Sequence, residues 1–180
     1  MRAQPKAVEP LALMFADDGA IPNNPYLPFL VYPKAIDLTG RIDPADVIEE
    51  TFAANGWGDN MWRNGVYPFP HYHSMIHEVM GIARGRVRVR FGGKDGEEID
   101  LSFGDVAVLP AGTGHQRISA SPDLLVVGAY PPTGHYNLCR GSRAEHARAV
   151  QSIPLVPHPE ADPVYGKQGP LLDLWPTKIA

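Results

Sequence analysis

Gly65-Val66-Tyr67-Pro68-Phe69-Pro70-His71-Tyr72-His73-Ser74-Met75-Ile76-His77-Glu78 runs on through Val79-Met80-Gly81-Ile82-Ala83-Arg84 to Gly85. His71 and His73 are two residues apart, and on a strand residues i and i+2 point to one face, so both imidazoles look the same way. Neutral imidazole is a common ligand for divalent transition metals. Met80 and Ile82 share the strand phase of Glu78 and either line the pocket beside it or simply fill the core. A turn or bulge must therefore reset the phase after His73, and the chain returns on a neighbouring strand that brings the Glu78 carboxylate toward the two histidines.

A second cluster, Gly104-Asp105-Val106-Ala107-Val108-Leu109-Pro110-Ala111-Gly112-Thr113-Gly114-His115, reads as a strand, a tight turn and another strand. His115 sits just past the turn and faces inward if the sheet curls into a barrel. Three imidazoles and one carboxylate on one ion would leave up to two positions open, which distinguishes a catalytic or ligand-binding metal from a closed structural one. Arg117, two past His115, shares its side of the strand. A guanidinium there could hold a carboxylate or phosphate bidentately, or pair with an acid at the mouth of the barrel. Trp62, Tyr67 and Tyr130 could form an aromatic rim, with plain packing as the alternative for each.

From about 64 to 131 the pattern is β. Arg86-Val87-Arg88-Val89-Arg90-Phe91 alternates strictly, 92–96 is a Gly-rich turn, and Ile99 to Phe103 alternates again. Val106–Leu109 and Leu124–Val127 are continuous apolar runs of strand length, and Phe29–Tyr32 is a further short strand. Helices are expected at 44–55, with Asp43 as cap, Pro44 at the first position and Val47, Ile48, Thr51 and Phe52 on one face, and at 143–151. Ser142 and Glu145 there form a capping box, and Ala144, Ala147 and Val150 fall along one side. The Pro-rich tail from 154 to 176 is expected to wrap over the barrel and dock Leu172 and Trp175.

The chain has 180 residues, of which 44% are hydrophobic, enough for one domain with its own core. With 18 Gly and 19 Pro, many short strands with frequent turns fit better than disorder, because hydrophobicity is not low. A formal net charge of −4 does not favour nucleic acid or an anionic membrane surface, and Arg84, Arg86, Arg88 and Arg90 at period two read as the wet face of a strand. The single cysteine, Cys139, can form no internal disulfide and has no partner at catalytic spacing. No apolar run approaches a signal peptide core or a membrane span, so a cytoplasmic location is expected.

The first stretch matches the first cupin motif: Gly65, five residues, His71, one, His73, four, Glu78, six, Gly85. The second matches the other: Gly104, five residues, Pro110, one, Gly112, two, His115, with Ser119 where Asn is usual. The chain thus resembles the cupin superfamily, all-β proteins built as a double-stranded β-helix or jelly-roll barrel. It is similar in particular to the YjlB-like single-domain cupins, through Asp17-Asp18-Gly19, Ile21-Pro22-Asn23-Asn24-Pro25, Asn55-Gly56-Trp57, Trp62-Arg63-Asn64-Gly65 and Asp162-Pro163-Val164-Tyr165-Gly166.

That resemblance implies one domain over 17–176 with its barrel core at about 64–131. One or two helices flank it, with an N-terminal arm over 1–16 and a tail over 177–180. It also implies that His71, His73, Glu78 and His115 bind one divalent metal ion; without a thiolate, Fe, Mn, Ni, Co and Zn all suit the set. Some cupins place the third ligand one residue earlier, which makes His77 the rival of Glu78, but Glu78 keeps the six-residue spacing to Gly85. Cupins with this ligand type include dioxygenases, isomerases and decarboxylases. The expected function is a metal-dependent enzyme acting on a small molecule, anionic if Arg117 engages it, with Tyr67, Met80, Tyr130 and Trp62 around it. The alternatives are a non-catalytic binding or sensing cupin and a barrel that metal merely fastens. A homodimer is expected by analogy.

Overall fold

The computed structural model describes residues 5–177, so residues 1–4 of the arm and 178–180 of the tail lie outside it. Strand alternation organises everything between. The strands are β1 (Leu11–Leu13), β2 (Phe29–Tyr32), β3 (Asp59–Asn64), β4 (Glu78–Arg84), β5 (Arg86–Phe91), β6 (Glu97–Ser102), β7 (Val106–Leu109), β8 (His115–Ala120) and β9 (Leu125–Tyr130). They form two antiparallel sheets, a six-stranded one in the order β1-β2-β7-β4-β9-β3 and a three-stranded one in the order β6-β5-β8.

The sheets face each other across one core. Phe29, Met80, Ile82 and Val126 from the large sheet meet Val87, Val89, Phe91 and Leu101 from the small one, and Phe29 stacks on Phe91 with ring centres 4.2 Å apart. The alternate residues of the large sheet, including Val79, Ala83, Val106, Val108 and Val127, pack on Ile48 and Phe52 of α1 (Pro44–Ala54). A sheet covered on both faces needs apolar residues at every position, which explains the unbroken apolar run of β7. The small sheet has one wet face, where Arg88 pairs with Asp100 and Arg90 with Glu98 across the β5–β6 hairpin.

At the β4–β5 corner, Gly85 takes φ +70°, and a Cβ there would lie 2.3 Å from Ser121 Oγ, so the motif glycine is required by both backbone and space. Strands outside 64–131 belong to the sheet: β2 lies between β1 and β7, and β3 forms the edge beside β9.

The helices follow their caps. Asp43 accepts from the backbone of Ala45 and Asp46, and Val47, Ile48, Thr51 and Phe52 are buried. Helix α2 (Arg143–Ser152) carries the expected capping box, but it buries Ala149 against Ile21, Tyr72, Cys139 and Ile153 and leaves Ala144, Ala147 and Val150 exposed. A short third helix, α3 (Pro170–Leu174), joins the expected two. In the tail Leu171, rather than Leu172, is fully buried with Trp175, whose indole N–H donates to Pro28 O at 2.9 Å.

The arms are fastened by buried polar side chains. Asp162 accepts from Tyr32 Oη at 2.6 Å and from the backbone of Val164, Tyr165 and Leu171. Asn23 donates to Ala16 O and Gly92 O and accepts from Gly114 N, beside His115. Leaving any of these groups unpaired would cost about 1–3 kcal/mol. No helix among the described residues is long and apolar enough to cross a membrane.

Candidate metal centre

His71 and His73 lie on an extended segment between β3 and β4. His71 and His115 exchange backbone hydrogen bonds of 3.2 and 2.9 Å, which ties this segment to the start of β8. Tyr72 pairs with Cys139 on the other side and sinks into the small cluster with Ala149. The chain bends at 74 and 75 before Glu78 opens β4, and Gly112 N donates to His73 O at 2.7 Å across that bend. The phase reset expected after His73 is this bend.

The three histidines are buried, and their candidate ligand nitrogens all lie within 4.8 Å of one another. Each Nδ1 is turned to a backbone carbonyl: His71 to Phe69 at 3.0 Å, His115 to Thr113 at 3.1 Å and His73 to Asn137. A carbonyl only accepts, so each Nδ1 carries the proton and each neutral ring offers an Nε2 lone pair.

Glu78 Oε2 stands 3.4 Å from His73 Nε2 and 3.3 Å from His115 Nε2, buried and without a hydrogen-bond partner. Lone pairs and a carboxylate aimed at one another inside the protein are unfavourable unless a cation or protons lie between them. The electrostatics agree. Burial alone would push the Glu78 carboxyl up, but His73 and His115 outweigh it and hold the group well below the usual carboxylate range. Burial likewise pushes His73 down, and Glu78 more than reverses it. His71 is driven down to about 3, chiefly by burial and then by His115. The donor set fits a divalent transition metal: three imidazole nitrogens, one hard oxygen and an unsatisfied negative charge.

The chain is 41% identical over 161 residues to "Uncharacterized protein YjlB" of Bacillus subtilis (strain 168), with 89% of this chain and 93% of that protein covered. It belongs to the YjlB-like cupin family. No protein-family model matches the chain. Among solved structures it resembles the 11S globulin from Wrightia tinctoria (19% identity, TM-score 0.36, 43% of this chain and 21% of that one). It also resembles acireductone dioxygenase from Bacillus anthracis with a cadmium ion in its active centre (20% identity, TM-score 0.36, 50% of this chain and 61% of that one).

In this YjlB-like cupin the four polar residues line a cavity of about 370 Å³, whose wall also includes Trp62, Val66, Tyr67, Met80, Arg117 and Tyr130. Ile82, which shares the strand phase of Glu78, does not line this cavity and instead fills the core between the sheets. Arg117 lines the cavity, and among the described residues no acidic side chain forms an ion pair with it. Tyr67 stacks on Phe69, and Arg140 covers the other ring with its guanidinium 3.7 Å from the Phe69 centre.

His77 does not join the cluster. It is buried, accepts from Ala111 N at 2.9 Å and packs 4.9 Å from the Trp175 ring, on the far side of the large sheet. Ser119, which stands where Asn is usual, is exposed and does not line the cavity.

Sequence reasoning missed Asn137, Tyr136, Phe69 and Thr113. Tyr136 lies 4.9 Å from the His73 ring and 5.6 Å from Tyr130. Phe69 and Thr113 each stand two residues before the histidine they orient, with Pro70 or Gly114 between, a local signal that could have been read. Asn137 has no such signal.

Proposed function

We propose that His71, His73, Glu78 and His115 hold one divalent transition metal ion and that the protein is a metal-dependent enzyme. Its reaction would be of the dioxygenase, isomerase or decarboxylase type, on a small anionic molecule in the adjoining cavity. The observation that carries this reading is the orientation of three buried histidines by backbone carbonyls, so that their free nitrogens meet the unpartnered Glu78 Oε2. When bound, the ion supplies a Lewis-acid or redox centre.

The chain's own residues do the rest. Arg117 offers a planar pair of donors to a carboxylate or phosphate, and no acid of the protein competes for it among the described residues. Val66 and Met80 present an apolar wall that limits water around the bound molecule. We include pairing of two copies in the proposal. β1 stands at the edge of the large sheet among the described residues, and a solution mass of twice 19.6 kDa is the expected result.

The test is elemental analysis of protein purified without added ions. Anaerobic loading with Fe, Mn, Ni, Co or Zn follows, then oxygen uptake and product analysis with a panel of small carboxylic and phosphorylated acids. Failure to take up a stoichiometric ion would end the reading. Uptake with ligand binding but no turnover would leave a binding or sensing protein.

A further inference from the structure

Neither Trp62 nor Tyr130 presents a spare polar group to the cavity. Trp62 Nε1 donates to Tyr130 Oη at 3.1 Å, and Tyr130 Oη donates to Glu78 Oε1 at 3.1 Å. An indole N–H can only donate, so the phenol oxygen accepts from Trp62 and its own proton is left for Glu78. The two oxygens of Glu78 are thereby made different. Oε1 is engaged by Tyr130, whereas Oε2 is the unpartnered atom facing His73 and His115.

The relay is built into the sheet. Trp62 on β3 pairs directly with Gly128 on β9, and a Cβ on Gly128 would fall 2.0 Å from the indole Cε2. Only glycine leaves room for the indole to reach Tyr130, which lies two residues along the same strand and therefore on the same face. Glu78 stands one residue beyond the Val79–Ala129 pair, and Tyr130 one residue beyond it on the partner strand, so sheet register brings carboxylate and phenol together.

We propose that Tyr130, held by Trp62, is a positioning residue that restricts Glu78 to one ligating oxygen, Oε2, and so keeps a coordination position free for an incoming small molecule. This rests on the metal reading above. A carboxylate with both oxygens free can grip an ion with both. Here the second grip would break a charge-assisted hydrogen bond in a buried site, where such bonds are strongest.

The experiment uses Mn(II) with wild type, Tyr130→Phe, Trp62→Phe and Gly128→Ala. Tyr130→Phe keeps the ring and removes the hydroxyl, whereas Gly128→Ala displaces Trp62 while leaving Tyr130 and Glu78 intact. The readouts are Mn(II) stoichiometry and the relaxation of solvent water protons by the bound ion, which reports positions open to water. The expected result is full Mn(II) loading in all four, with the relaxation effect falling to roughly half in Tyr130→Phe as the second carboxylate oxygen takes one of two open positions. Trp62→Phe and Gly128→Ala should shift the same way.

If Tyr130→Phe misfolds, the other two variants decide. Lower melting temperatures with unchanged relaxation would mark the relay as structural only and overturn the proposal. Wild type that takes up no Mn(II) would sink the metal reading and this inference together. Loaded wild type with no relaxation change in any variant would sink only the inference.

Discussion

The Nδ1–H of His73 is held by the backbone carbonyl of Asn137, 64 residues farther along the chain. That carbonyl is fixed in turn by its own side chain: Asn137 Oδ1 accepts from Ser74 N at 2.9 Å, and Nδ2 donates to Ser74 Oγ at 2.8 Å. One loop therefore sets both the tautomer and the aim of a candidate ligand. Asn137→Ala should leave the fold largely intact and weaken metal affinity by about 10- to 100-fold, the usual effect of losing support behind a ligand. Chelator competition on the loaded protein measures it, and an unchanged affinity would count against the orienting role.

His73→Ala should lose nearly all metal, whereas His77→Ala should keep it. The His77 ring lies on the helix side of the large sheet and serves the fold by accepting the Ala111 N–H. His77→Ala should accordingly lower the melting temperature, with a cost of about 1–3 kcal/mol for the orphaned donor in addition to the cavity left behind. Equal metal loss from both variants would overturn the choice of Glu78 over His77.

Proton competition should differ between His71 and His73. Burial and His115 push His71 down to about 3, so at neutral pH it is already free to bind. His73 is opposed by burial but raised overall by Glu78, so protons compete with an incoming ion more at His73 than at His71. The sign follows: acid favours the protonated, metal-free form, and metal content should fall as pH drops below about 6. Calorimetry in buffers of different ionisation heat should find that fewer than three protons leave on metal binding at pH 7. Release of three would show that His71 is protonated in the free protein.

Arg117→Gln should leave metal content unchanged and weaken the binding of small carboxylates or inorganic phosphate to the loaded protein. A charge-assisted hydrogen-bonded contact is worth about 1.5–3 kcal/mol, or roughly 10- to 150-fold in affinity. The comparison is a titration of both proteins with the same anions. Equal affinities would place the anion, if any, away from Arg117.

Much of this protein could be read from short-range pattern. The shared face of His71 and His73 follows from i, i+2 alternation, β5 from Arg86 to Phe91 follows from the same period, and both helix starts follow from caps within three residues of Asp43 and Ser142. Such features depend on backbone geometry that a few neighbouring residues set for themselves. The buried face of α2 did not follow. Ala144, Ala147 and Val150 have the spacing, but Ala149 meets Tyr72 and Ile153, because what a short helix buries depends on what lies beside it.

The amino-acid sequence alone determined which side chains could serve a metal and that strands would carry them. Only the tertiary structure decided how those side chains are aimed. The carbonyl behind His73 comes from Asn137, the hydrogen bond to Glu78 Oε1 comes from Tyr130, and the room for Trp62 comes from Gly128. Each pairing joins residues distant in the chain through sheet register and loop placement. Those are settled by packing the whole core, so no local periodicity records them.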